Sequence, residues 1–191
     1  MTTRSIPQRT AGAATTPPQR DDGALAAAQA PRIAIESVAP SLELGRFAAK
    51  AIAGEPVDVS AVIFADGHDV LAAAVVWCDD QGQCRREPMH LVRPLGKDIW
   101  QARFTPPRVG RHSFVIEAWW DVFASYRDEL FKKHQAGVPV ALELEEGRRL
   151  VTAAAERSQG ELREALDGVL ERFQACGSEG ERVGVMLDVR T

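Results

Sequence analysis

The feature that most constrains this chain is a change of hydrophobic period at Trp120. Before that residue, apolar side chains recur at every second position in short runs; after it, they recur at every third and fourth. A period of two belongs to a strand with one buried face, and a period near 3.6 to an amphipathic helix. Because no helical stretch interrupts the first part, the pattern excludes an alternating α/β fold. It predicts a sheet layer followed by a helical one.

Seven short strands are expected, over residues 32–38, 46–52, 57–64, 70–77, 85–92, 98–104 and 110–119. In the third, Val57, Val59, Ala61 and Ile63 fall on one face. Turn signals separate the runs: Gly54-Glu-Pro56, Asp66-Gly67 with His68-Asp69, Gln81-Gly82, Pro94-Leu-Gly96 and Pro106-Pro107. Spacings of this kind point to an immunoglobulin-like sandwich.

The helical part begins with Phe123, Tyr126, Leu130, Phe131 and His134, closed by Gly137 as a C-terminal cap. Pro139 suits the first turn of a second helix, with Val140, Leu144, Gly147, Val151 and Ala154 as its apolar face. Ser158-Gln-Gly-Glu161 has the capping-box form and opens a third helix, with Leu162, Leu166, Val169, Leu170 and Phe173 inward. Ser178-Glu-Gly-Glu181 repeats that form, and the sequence stops in what reads as the first turns of a fourth helix. The expected fold class is therefore mainly β plus α: an immunoglobulin-like β-sandwich followed by a helical insertion, C-terminally truncated. Its divisions are a disordered tail over 1–30, a sandwich domain over 31–120 and an incomplete helical insertion over 121–191. The tail is expected because Leu25 is its only leucine and it contains no aromatic residue, too little apolar surface to offset the entropy of ordering.

Composition narrows the function. A net charge of −4 and the absence of a basic stripe argue against nucleic acid as a partner. The strongest apolar run, residues 70–78, is less than half the ~20 residues of a membrane-spanning helix, so no membrane partner and a cytoplasmic location are expected. Cys78 and Cys84 flank a predicted hairpin turn and could face each other across two strands; two reduced thiols are the expectation for a cytosolic protein. The four histidines are scattered, so neither a metal nor a cofactor is expected.

Carboxylates and aromatic residues are the remaining candidates. A retaining glycosidase needs two carboxyl groups ~5 Å apart in a cleft. Glu143, Glu145 and Glu146, and Glu161 with Glu164, instead fall on solvated helix faces, with Glu161 in a capping role. Trp77, Trp100, Trp119 and Trp120 could form a platform for sugar rings, although packing is the commoner use of large aromatics. Trp119 and Trp120 must point to opposite faces of a strand, and Trp120 is the one singled out for a contact outside its own sheet. His68 and Asp69, in a turn, are candidates for a polar contact with a neighbouring domain. Arg127, Lys132 and Lys133 could meet acidic groups on a partner.

The stretch from Gly54 to Ala74, with Phe64-Ala-Asp-Gly-His-Asp69 at its centre, resembles the N-terminal domain of the bacterial α-1,4-glucan:maltose-1-phosphate maltosyltransferases of glycoside hydrolase family 13. The resemblance continues through Trp100, Phe104-Thr-Pro106, Gly110 and Ala118-Trp-Trp-Asp-Val-Phe-Ala124 to Arg127, Lys132-Lys133, Ala136-Gly137 and Glu143-Leu144. It implies an accessory domain whose helical insertion helps form a homodimer, with maltosyl transfer from maltose 1-phosphate to an α-1,4-glucan carried out by a (β/α)₈ barrel elsewhere. A barrel needs roughly 250 residues, more than this chain has beside a sandwich. No catalytic residue is carried over, and α-glucan or maltose 1-phosphate would be met only through the barrel. The site residues expected from this reading are interdomain or dimer contacts: His68, Asp69, Trp120, Phe123, Tyr126 and Arg127. A free-standing carbohydrate-binding sandwich is the competing reading, and it has no need of the helices.

Overall fold

The structure is a computed structural model that describes residues 32–92 and 98–189. The tail expected over residues 1–30 lies outside the described residues. Within them, seven strands precede four helices: β1 (Ile33–Ala39), β2 (Val57–Ala65), β3 (Leu71–Cys78), β4 (Cys84–Pro88), β5 (His90–Leu91), β6 (Ile99–Phe104), β7 (Ser113–Trp120), then α1 (Val122–Gln135), α2 (Ala141–Arg157), α3 (Gly160–Ala175) and α4 (Glu179–Asp188). The strands form two antiparallel sheets, in the orders β1-β2-β6-β5 and β4-β3-β7.

Alternation decides what each strand buries. Val59, Ala61 and Ile63 of β2 are fully buried, as their spacing predicts. They share one core with Ala73, Val75 and Trp77 of β3, Met89, and Trp100 and Phe104 of β6. Trp77 stacks on Phe104 with ring centroids 4.9 Å apart, joining the two sheets. The Trp100 indole N–H donates to the Ile63 carbonyl at 3.2 Å.

Two strand expectations are corrected. Residues 46–52 form no strand. Glu43, Leu44 and Gly45 take successive positive φ values of 46°, 57° and 85°, and the amides of Gly45, Arg46 and Phe47 bond back to Leu42 and Glu43. A backbone turned left-handed in this way cannot extend into a ladder. The single strand expected over 85–92 is divided between the sheets. Pro88 has no N–H to continue the ladder, Met89 turns into the core and donates to the Ala73 carbonyl, and His90 then pairs with Gln101 of the other sheet.

The helices surround a core of their own, built on Tyr126, Leu130, Val140, Leu144, Val151, Val169, Phe173, Val183 and Met186. Gly137, at φ 69°, ends α1 as its position predicts. Pro139 stands two residues before α2, whose N-cap is Val140, and Ala155 rather than Ala154 is fully buried. The Ser158 box does not form: its hydroxyl donates to the Ala154 carbonyl, leaving Gln159 at the N-cap and Glu161 without a capping role. Leu162, expected inward, is exposed, and the apolar side chains of α3 that reach the core are Leu166, Val169, Leu170 and Phe173. The Ser178–Glu181 box does form and opens α4.

Candidate functional site

Among the described residues, hydrogen bonds fasten the helical layer to the sheets where β7 passes into α1. Where β7 ends, Asp121 donates its amide to the Val70 carbonyl, and its carboxylate accepts the Ala124 amide as the N-cap of α1. One turn into α1, the Ser125 hydroxyl accepts the Val70 amide and donates to the Asp121 carbonyl, each at 2.8 Å. The start of β3 and the start of α1 are thus locked through two short polar side chains.

This junction gathers the candidates His68, Asp69, Trp120 and Phe123. His68 and Asp69 are exposed in the turn that leads to Val70, with Gly67 at φ 103°. Trp120 is half-buried opposite Leu71 in the β3–β7 ladder. Phe123 packs on Tyr126, ring centroids 5.6 Å apart. Tyr126 and Arg127 are used inside this chain. Tyr126 is buried between α1 and α2, where burial, with Glu146 and Glu143 nearby, pushes its hydroxyl far above the usual range. Arg127 reaches across to α4 and donates to the Leu187 carbonyl at 2.5 Å, a cation placed at the negative end of that helix.

Two of the candidate carboxylates, Glu143 and Glu145, are held in ion pairs. Glu143, nearly buried, accepts from Lys133, which also pairs with Glu129; the bond to Lys133 keeps its carboxyl below the usual range. Glu145 is held by Arg148 and Arg149, which bring it to about 2. A general acid needs the opposite displacement, upward toward neutral pH. These groups stay ionised and serve the helices.

Cysteine chemistry departs from expectation. The β3–β4 register sets Cys78 directly opposite Cys84, with Cα atoms 4.1 Å apart, and the two form a disulfide in place of the reduced thiols expected. Asp79 closes the same turn by accepting the amides of Gln81 and Gln83, while Arg108 pairs with Asp79 and Asp80.

The exposed tryptophan is Trp119 rather than Trp120. Residues Phe114, Ile116 and Ala118 of β7 pack on the sheet core, so Val115, Glu117 and Trp119 occupy the outer face. Arg86 of β4 crosses that face, paired with Glu117 at 2.6 Å and lying 4.8 Å from the Trp119 ring centroid. Alternation alone places Trp119 opposite Trp120; it cannot bring Arg86 beside it, because that requires the strand register.

A family model described as α-1,4-glucan:maltose-1-phosphate maltosyltransferase, domain N/S, matches residues 31–191, both sheets and all four helices. The chain belongs to this family. Among curated maltosyltransferases of that name, the one from Pseudomonas aeruginosa is 46% identical over 171 residues, covering 90% of this chain and 26% of the relative. The Burkholderia pseudomallei enzyme is 45% identical over 151 residues, covering 76% and 12%. That of Rhodospirillum rubrum is 36% identical over 168 residues, covering 81% and 24%. The chain thus spans about a quarter or less of the length of these maltosyltransferases. No helix among the described residues is long and apolar enough to cross a membrane.

Proposed function

We propose that the chain is a non-catalytic accessory segment of an α-1,4-glucan:maltose-1-phosphate maltosyltransferase, in which two immunoglobulin-like packed sheets carry a helical layer that makes the homodimer contact in the cytoplasm. The observation that carries this reading is the family match over 31–191, on a chain whose Glu143 and Glu145 are tied up in ion pairs. Maltosyl transfer from maltose 1-phosphate to an α-1,4-glucan would belong to the three quarters of such relatives that this chain does not match. His68, Asp69, Trp120 and Phe123, gathered where the helices leave the sheets, remain the contacts proposed for a neighbouring domain.

Because Tyr126 and Arg127 are used internally, the subunit contact is better sought on what the helices leave exposed. Phe131 of α1, Val138 in the following turn and Leu142 of α2 keep 48%, 47% and 76% of their surface in solvent. Apolar groups of this size are what homodimer interfaces bury at their centres. Sedimentation over a range of concentrations tests the role. The chain is expected to dimerise, and Phe131→Glu with Leu142→Glu to leave it monomeric with an unchanged melting temperature. A parent that stays monomeric, or a double variant that dimerises as tightly, would remove the dimerisation role. Phosphate release from maltose 1-phosphate by the chain alone would contradict the non-catalytic reading.

A further inference from the structure

The outer face of the β4-β3-β7 sheet carries a feature that the accessory role leaves unused. A groove of about 760 Å³ opens at its edge, lined from the outer face by Ala72, Ala74, Arg86 and Trp119 and from between the sheets by Met89 and Trp100. Its floor is the middle strand, where the small side chains of Ala72 and Ala74 stand opposite Trp119 and Glu117. Beside these small side chains, the Trp119 indole keeps 39% of its surface in solvent. Arg86 lies over part of the ring and is paired with Glu117, so this ion pair beside the aromatic ring carries no net charge.

We infer that this groove binds an α-1,4-linked glucan chain, with a glucose ring on Trp119 and its hydroxyls held by Arg86 and Glu117. The C–H face of a pyranose packs on the negative face of an indole, as other electropositive groups do. Sugar hydroxyls need donors and acceptors together, and a guanidinium beside a carboxylate supplies both. A neutral pair suits an uncharged polyol and offers nothing to a phosphate, which requires surplus cations. A subunit contact fits less well, because interface centres are depleted of charged residues whereas here an ion pair crosses the middle of the face. The α-1,4 linkage rests on the maltosyltransferase reading above; the sugar platform itself rests on the geometry.

The test is a titration of the 191-residue chain with maltoheptaose, followed by calorimetry and by the indole N–H signals in NMR, the Trp119 signal being assigned from Trp119→Phe. Saturable binding that shifts this signal is expected. Trp119→Ala should weaken it at least about tenfold, equivalent to about 1.4 kcal/mol, and Arg86→Gln severalfold, both with an unchanged melt. Absence of saturable binding, a Trp119 signal that does not move, or equal binding by cellohexaose would overturn the assignment. So would a Trp119→Ala variant whose oligomeric state changes, since the face would then be a subunit contact. If the alanine variant fails to melt cooperatively, the parent's Trp119 signal and Arg86→Gln decide alone. A chain that binds glucan yet stays monomeric keeps this site and removes the dimerisation role; one that dimerises without binding glucan does the reverse.

Discussion

Gly147 faces Tyr126 across the α1–α2 contact so closely that a Cβ there would lie 2.0 Å from the tyrosine hydroxyl and 2.4 Å from the ring carbon bearing it. In an open helix, replacing glycine with alanine gains up to about 1 kcal/mol, because glycine loses more backbone freedom on folding. Here the added methyl must displace a buried ring, and overpacking of that kind costs about 1–3 kcal/mol. Gly147→Ala is therefore expected to destabilise the chain in urea unfolding. Gly168→Ala, at a position of α3 where a Cβ meets nothing within 4 Å, should stabilise it slightly. Opposite signs for the same substitution would isolate the close approach as the cause. A second residue-scale expectation concerns acid. Arg148 and Arg149 depress Glu145 from an ordinary 4.5 to about 2, and Lys133 depresses Glu143. A carboxyl lowered in the folded state binds fewer protons there than in the unfolded chain. Its stabilising effect is thus complete above the ordinary value and is lost as pH falls through the folded one. Melting temperatures taken from pH 6 down to pH 2 should fall, and Glu145→Gln should flatten the part of that fall between about 4.5 and 2.

At the scale of elements, two identical sequence forms behave differently. Ser178 accepts the Glu181 amide and Glu181 answers at the Ser178 amide, so Ser178→Ala should cost about 1 kcal/mol and speed amide exchange in α4. Ser158 has the same spacing to Glu161, yet its hydroxyl is already engaged by α2, and Ser158→Ala should leave the start of α3 unchanged. Propensity sees only the local string; which helix claims a hydroxyl is settled by the turn between them. The same distinction explains what was legible in the chain. The strands β2, β3, β6 and β7 and the stripes of α1 and α2 follow from periodicity, since burial on one face imposes it. Residues 46–52 are largely apolar between turn signals, but their flanking backbone turns left-handed and gives them no strand to pair with. The turn made it legible that Cys78 could face Cys84, though not that the two are bonded, whereas Arg86 beside Trp119 stayed hidden because it is set by pairing across sequence. The cysteine pair gives an element-scale test. A bridge across so short a loop is worth about 2 kcal/mol in unfolded-chain entropy. Asp79 and Arg108 hold the turn in any case, so reduction should lower the melting temperature without unfolding β3 or β4.

For the whole molecule, the question is which apolar surface governs association. Two separate patches compete. One is on the helices, at Phe131, Val138 and Leu142; the other lies on the segment between β1 and β2, where Leu42, Leu44, Phe47 and Ile52 are 49%, 104%, 54% and 64% exposed. That segment borders a groove of about 500 Å³ whose far wall is Phe104, Arg108, Val109 and Phe114. Exposed apolar side chains gathered in this way mark a surface that another body covers. The two patches differ in what holds them. The helical one stands on regular, internally bonded backbone, whereas the segment is held by turn bonds over Leu42–Phe47, one from Glu55 to Ile52 and one from Gly54 to the Pro106 carbonyl, rather than by a continuous ladder. Ordering a loop on association costs free energy that a preformed helix face does not. The tighter, saturable association should therefore run through the helices, and the loop patch should contribute a weaker, open-ended one. Sedimentation of Leu44→Glu with Phe47→Glu beside the Phe131→Glu and Leu142→Glu pair separates them. The loop pair is expected to suppress aggregation at high concentration and leave the dimer intact, and the helical pair to abolish the dimer. The reverse outcome would place the subunit contact at the entry to β2 and leave the helices to brace the sheets through Asp121 and Ser125.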